Sequence, residues 1–336
     1  MFVNGIYKGM YSAVRAMAVC LLFCACSERE PLLPDGLIRL GARPESHART
    51  LTRTSVNDLA GLAAVGDRVG VYGVVTERAD ALYATLTTEW ETAPLMNNVR
   101  TTRIDAATGM LFWDGDYAYP ADDGRKVKFC VYHPYAPVDA GGDNYVEAAA
   151  GRSPVLHFKL TGEEDVMWVR PVLGSRKQPP SALLFEHKLT QLRFRLIDDE
   201  GEFEGVRVTS LTFDEANTAS TLNLETGELG GWSAPSDAVA FPLKAPVAIT
   251  GTVETPQVLA GEVMLQPEQP VFRLTLKTDG RGDYPGIEIR PSGGETTFTA
   301  GRSYMVTLRF RGRTAVAVSA KVTPWMMDGY GEGIGE

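Results

Sequence analysis

From Val69 onward, apolar residues recur at every second position. Val69, Val71 and Val75 share one face, and Val127, Phe129 and Val131 share a face set against Lys126, Lys128 and Cys130. A period of two is what a half-buried strand requires, because successive side chains point to opposite sides of the sheet. Pro120, Pro134, Pro137 and the run Gly141-Gly142-Asp143-Asn144 place turns between such strands. After Pro179-Pro180 the alternation is cleaner. Leu192, Phe194 and Leu196 stand against Arg193 and Arg195, followed by Leu211 and Phe213, then Leu222 and Leu224 before a turn at Glu225-Thr226-Gly227-Glu228. Phe272, Leu274 and Leu276 repeat the pattern, as do Ile287 and Ile289. Tyr304, Val306, Leu308 and Phe310 face one way, and after Arg311-Gly312-Arg313 the residues Val316, Val318, Ala320 and Val322 do the same, which predicts a hairpin. Short strands at regular spacing with one apolar face predict an all-β chain of antiparallel sheets packed face to face.

The alternation is interrupted at Ser175-Arg-Lys-Gln-Pro-Pro-Ser181, where two prolines and polar neighbours make a poor strand and a good hinge. Two tandem β-sandwich domains follow as the expectation, residues 55–178 and residues 179–336. Ser55-Val-Asn-Asp-Leu-Ala-Gly-Leu62 reads as a short helix capped by Ser55. Residues 26–54, with Pro31, Pro34, Pro44 and several arginines, have the composition of a tether. Within it, Gly36 to Ala42 predicts one short strand with Leu37 on one side and Ile38 and Leu40 on the other.

Ahead of the tether lies a different pattern. Lys8 and Arg15 precede an unbroken apolar run from Ala16 to Ala25, which Cys26-Ser27-Glu28 ends. The run is shorter than the ~20 apolar residues a membrane helix needs, so residues 1–25 read as a secretion signal. Small Ala25 directly before Cys26 resembles a bacterial lipobox, in which that cysteine is lipidated and becomes the new N-terminus. Cys24 fits less well, because bulky Phe23 would take the small-residue position.

Composition narrows the partners. Cleavage before Cys26 removes Cys20 and Cys24 and leaves Cys130 as a lone thiol, so an exported fold of this size must be held by its core. The net charge is −9, and loss of Lys8 and Arg15 makes it more negative, which argues against nucleic acid and anionic lipid as partners.

Chemistry-bearing patterns are sparse. His47, His133, His157 and His187 are too far apart in sequence to read as a zinc cluster, and no catalytic motif, cofactor site or metal site is expected. His187 reads as a structural histidine ahead of a strand. Asp114-Gly-Asp116 and Asp122-Asp-Gly124 lack the ligand spacing of a calcium loop and read as turns. Arg281-Gly-Asp283 spells an integrin tripeptide within a turn-forming run. Trp90, Trp113, Trp168 and Trp232 are expected in the core, Trp325 outside it, and Cys130 as a small strand residue.

Six stretches in order resemble the fimbrillin and Mfa-like surface lipoproteins of anaerobic Gram-negative bacteria. They are Val127-Lys-Phe-Cys-Val-Tyr-His-Pro-Tyr135, Asp165-Val-Met-Trp168, Phe185-Glu-His-Lys-Leu-Thr-Gln-Leu192, Ala219-Ser-Thr-Leu-Asn-Leu-Glu-Thr-Gly227, Phe298-Thr-Ala-Gly-Arg-Ser-Tyr304 and Val322-Thr-Pro-Trp325. The resemblance implies two transthyretin-like Greek-key sandwiches, outer-membrane anchoring through lipid on Cys26, and a non-enzymatic place in a cell-surface fimbria. It also implies proteolysis after an arginine near the N-terminus, for which Arg49 and Arg53 are suitably placed, or alternatively a solvated basic linker in a subunit that keeps its lipid. Loss of the first strand, with Ile38 and Leu40, would open a groove for a strand from another subunit, and the segment with Trp325, Met326 and Met327 before a glycine-rich end is the candidate donor. Partners are then other fimbrial subunits, with ligands on host or bacterial surfaces. The competing expectation is a membrane-tethered glycan-binding lipoprotein using exposed aromatics; a third class, a two-carboxylate hydrolase, finds no acid pair singled out by spacing.

Overall fold

The computed structural model describes residues 36–44, 68–76, 90, 93–122, 124–139, 141–180, 182–235, 237–312 and 314–323. The expected signal segment, Cys26, Arg49, Arg53, the helix after Ser55 and the tail carrying Trp325, Met326 and Met327 lie outside the described residues.

Among the described residues the fold is all-β. The first strands are β1 (Ala42–Pro44), β2 (Gly70–Val75), β3 (Met96–Ile104), β4 (Leu111–Trp113), β5 (Val127–His133), β6 (Tyr145–Glu147), β7 (Val155–Lys159), β8 (Met167–Gly174) and β9 (Leu183–His187). There follow β10 (Thr190–Asp198), β11 (Arg207–Ala216), β12 (Ala219–Asn223), β13 (Leu229–Gly230), β14 (Asp237–Ala240), β15 (Val247–Ala248) and β16 (Gln257–Val258). The last are β17 (Val263–Leu265), β18 (Phe272–Thr278), β19 (Gly282–Ile289), β20 (Ser303–Arg311) and β21 (Thr314–Thr323).

Two hydrophobic cores organise these strands. A seven-stranded sheet, ordered β1-β9-β8-β5-β2-β3-β4, shares the first core with a four-stranded sheet, β13-β12-β7-β6. The second core lies between β16-β10-β20-β21, with β17 also on β10, and β14-β11-β18-β19, with β15 also on β11. Pairing is antiparallel except at β1–β9 and β10–β20.

The expected boundary between residues 178 and 179 falls ahead of β9, which pairs with β8 and β1 in the first sheet. The first core continues to Leu189 and the second begins at Leu192. Residues 219–230 then cross back: β12 pairs with β7 over five residues, and Leu222 and Leu224 are fully buried in the first core. Alternation gives both leucines an apolar face but does not say which sheet receives it.

Most predicted faces are present. Leu192, Phe194 and Leu196 are buried, as are Tyr304, Val306, Leu308 and Phe310. Two expectations change. β5 is buried along its whole length rather than on one face, because Tyr119 packs against Phe129 on one side while Lys128 meets Trp90 and Glu225 on the other. In the β20–β21 hairpin, a register shift opposite Thr307–Leu308 adds one residue to β21, so Ala315 and Ala317 pack on the core before it and Ala320 after it. Val322, at the end of the same strand, is 45% exposed.

Candidate functional site

The segment from Leu37 to Pro44 enters the fold alone and joins both edges of the seven-stranded sheet. On one side, Ala42, Arg43 and Pro44 run parallel to Leu183, Leu184 and Phe185, and Leu183 N donates to Gly41 O at 2.7 Å. On the other, Ile38 N donates to Tyr117 O at 2.7 Å, Leu111 N to Leu40 O at 2.9 Å, and Ala42 N to Gly109 O at 2.8 Å. Isolated bridges Leu37–Ala118 and Gly41–Met110 mark the same antiparallel contact. The strand thus closes the sheet on itself.

Its side chains alternate as the sequence predicts. Ile38, Leu40 and Ala42 are buried in the first core, Leu40 and Ala42 completely, while Arg39 points to solvent. Burial of Ile38 and Leu40 contributes roughly 1.5–3 kcal/mol each, and Ile38 N, Leu40 O, Gly41 O and Ala42 N are held by main-chain neighbours. This is a built slot for an extended chain with small-to-medium apolar residues at alternate positions.

The stretches singled out in the sequence meet one another. Trp168 on β8 donates Nε1 to Leu224 O at 2.9 Å, and its ring covers Gly227, where a Cβ would stand 2.6 Å from Cζ3. Gly227 has φ 73°, so glycine is required there for two reasons. Glu225 in the same turn pairs with Lys128 on β5 and accepts from Trp90 Nε1 at 3.0 Å. Asp165 lies 2.9 Å from Nδ1 of His187, the structural role expected for that histidine. Thr190 Oγ1 donates to Thr299 O at 2.9 Å, Gly301 N to Leu189 O at 2.8 Å, and Tyr304 stands opposite Val322. Stretches distant in sequence are therefore brought into contact with one another.

The remaining candidates have structural places. Trp90 and Trp168 are buried, and Trp113 and Trp232 are partly buried against the first core, so none of the four is an open platform for sugar. Cys130 is a buried free thiol. Asp122 Oδ1 accepts from Gly124 N at 2.9 Å, a turn contact, and no group of three or more potential metal ligands occurs among the described residues. Arg281 of the integrin tripeptide lies 5.0 Å over the Phe203 ring and donates to Glu202 O, while Asp283 lies 3.9 Å from Lys277. Both ends of the tripeptide are tied to the body.

Among the described histidines, His133 is the one whose titration is clearly displaced. Burial holds its imidazole down at about 4, opposed by the nearby Asp165 carboxylate, and its Nδ1 donates to Arg68 O at 3.1 Å. Nothing in the sequence pattern marks it apart from its place in a strand.

Among the described residues this is an all-β protein of mostly antiparallel sheets, with a short first segment set between Leu183 and Leu111. A family model described as fimbrillin-like matches residues 52–325, and the chain belongs to this family. No curated protein matches it. Among solved structures, a candidate cell adhesion protein from Bacteroides uniformis is similar at TM-score 0.57 and 19% identity, covering 87% of this chain and 100% of that one. A second, from Bacteroides ovatus, is similar at TM-score 0.55 and 14% identity, covering 87% and 98%. At these identities the likeness concerns the fold.

Proposed function

We propose that this protein is a non-enzymatic structural or adhesive subunit of a cell-surface fimbria, exported by residues 1–25, lipidated at Cys26 and assembled by strand exchange. The observation that carries the reading is the Leu37–Pro44 strand, bonded through its main chain to both sheet edges with Ile38, Leu40 and Ala42 in the core. It precedes Arg49 and Arg53 in the chain, so a cut after either severs it from the body. Its departure leaves Leu183 N, Leu111 N, Gly109 O and Tyr117 O without those partners beside an apolar groove. A strand from another subunit restores both the hydrogen bonds and the buried side chains. The donor in this reading is the tail with Trp325, Met326 and Met327.

The test is cleavage of purified full chain with an arginine-specific protease, followed by native gels. Ladders are expected after cleavage only, and not from an Arg49→Ala/Arg53→Ala variant. Deletion of residues 325–336 should leave a folded monomer that forms no ladder; a ladder without the tail rules the tail out as donor, and one without cleavage rules out exchange of the first strand.

A further inference from the structure

Where the chain leaves the second core for the first, the end of β11 is bent. Phe213 pairs with Val239 of β14 and Ala216 with Asp237, so β11 spends three steps where its partner spends two. The extra residue falls at Asp214-Glu215, and Glu215 takes the left-handed conformation at φ 54°, uncommon for a residue with a side chain. Together with the end of β17 and the start of β18, this bend borders a cavity of about 160 Å³. Asp214, Glu215, Gln266, Gln269, Phe272 and Arg273 line it.

The walls are held from behind. Phe272 packs against Phe298 at 4.8 Å and edge-on to Phe213 at 6.0 Å, and Phe298 N donates to Gln269 O at 2.9 Å. Asp214 accepts from Thr275 Oγ1, and the Arg273 guanidinium lies 3.6 Å from Glu288, so the charges at the rim already have partners and do not call for an ionic ligand. What the cavity offers is a close mixture of hydrogen-bonding groups. A carboxylate has about four lone-pair sites, and the Thr275 bond uses one of those on Asp214. Gln266 Oε1 accepts from Asn217 Nδ2 at 2.6 Å, which turns the Gln266 amide so that its own N–H groups are its remaining donors. Asn217 also lines the cavity, and its Oδ1 is buried without a partner, a costly state that a ligand donor would relieve.

We propose that this cavity binds one neutral sugar ring, its hydroxyls bonded by Asp214, Glu215, Gln266 and Gln269 and its C–H face set against Phe272. A sugar hydroxyl both donates and accepts, so it can use carboxylate acceptors and amide donors standing side by side. An ammonium ion would leave the amide and guanidinium donors unused, and an anion would meet Asp214 and Glu215. Hydrogen bonds to carboxylates are among the stronger ones, and the aromatic side chain adds apolar contact. A cavity of roughly 150 Å³ takes one six-membered ring, so the ligand is a single pyranose, free or at the end of a glycan. Backbone strain like that at Glu215 gathers at ligand sites. The site is built from strands of the second core and does not depend on the first strand being exchanged.

The test is saturation-transfer NMR of the full chain with glucose, galactose and mannose, each free and as its methyl glycoside, beside glucuronate, butylammonium and glycerol. Transfer to at least one neutral ring is expected, and weaker transfer to the three controls. Signal from a methyl glycoside assigns the site to a chain end; signal from free sugars alone assigns it to free monosaccharide. Asp214→Ala should weaken binding by roughly tenfold, the worth of one hydrogen bond to a charged group. Glu215→Gly should also weaken it while keeping or raising the unfolding temperature, since glycine takes φ 54° without strain; a residue with only a structural role would not separate the two readouts. Glu147→Ala, on β6 of the four-stranded sheet, should bind as the parent does. No transfer to any neutral sugar, equal transfer to any of the three controls, or binding unchanged in both Asp214→Ala and Glu215→Gly overturns the proposal.

Discussion

Lys128 and Glu225 form an ion pair between the middle of the first sheet and the turn after β12, their side chains only 7% and 14% exposed. The other Glu225 oxygen takes the Trp90 Nε1 hydrogen, so the carboxylate is satisfied on both sides. Burying two charges is costly unless each finds a partner, and here the partners come from opposite halves of the chain. The pair fixes where the returning segment docks.

Lys128→Met should therefore leave Glu225 buried without its cation and cost roughly 3–5 kcal/mol in urea unfolding. Adding Glu225→Leu should recover much of that loss, because an apolar pair of similar volume needs no compensation. A single variant as stable as the parent would show that the docking rests on Leu222, Leu224 and Trp168 alone.

Crossing of β12 into the first core predicts how the chain can be cut. A fragment beginning at Ser181 keeps the second core but leaves Leu222 and Leu224 uncovered and β12 without β7. Circular dichroism and gel filtration should report an aggregating product. The same fragment with residues 219–230 replaced by a short glycine-serine link should unfold cooperatively as a monomer; equal behaviour of the two fragments would show that the returning hairpin is dispensable.

His133 gives the stability a pH dependence with a definite sign. Folded, its pKa is held at about 4, against an ordinary 6.5 in the unfolded chain. Between these values the unfolded chain takes a proton that the folded one refuses, so full stability is present above about pH 6.5 and is lost as pH falls through about 4. The loss amounts to roughly 3 kcal/mol. His133→Gln should flatten the stability profile across this window, measured by denaturant midpoints at pH 7.5, 6, 5 and 4; an unchanged profile would assign the dependence to other groups.

Much of the architecture is legible in the sequence because single-faced strands announce themselves by alternation: Leu192-Phe194-Leu196 and Tyr304 to Phe310 lie as their pattern requires. What alternation cannot carry is the identity of the partner. Leu222 and Leu224 read the same against either core. The extra residue in β21 moves the apolar face by one position without any glycine or proline to signal it. Lys128, a charge that looks like a solvent marker, is buried because Glu225 reaches it from 97 residues away. Of the candidate slot, Ile38 and Leu40 stand out as an apolar pair in a polar tether; that they close the sheet between Leu183 and Leu111 follows only from the fold.

The strand slot makes a last prediction that separates filling from mere packing. Leu40 is fully buried, so Leu40→Ala should cost about 2–5 kcal/mol. Leu40→Asp should cost more and expose the groove without any proteolysis, because an unpaired carboxylate cannot enter the core. A synthetic peptide of residues 37–44 added to the protease-cleaved chain should then raise its unfolding temperature, since a ligand that binds only the folded state stabilises it. The same peptide with Asp at position 40 should have no effect. A shift with the Asp peptide equal to that with the parent would mean that the main chain alone is recognised and that the alternating pockets for Ile38, Leu40 and Ala42 confer no selectivity.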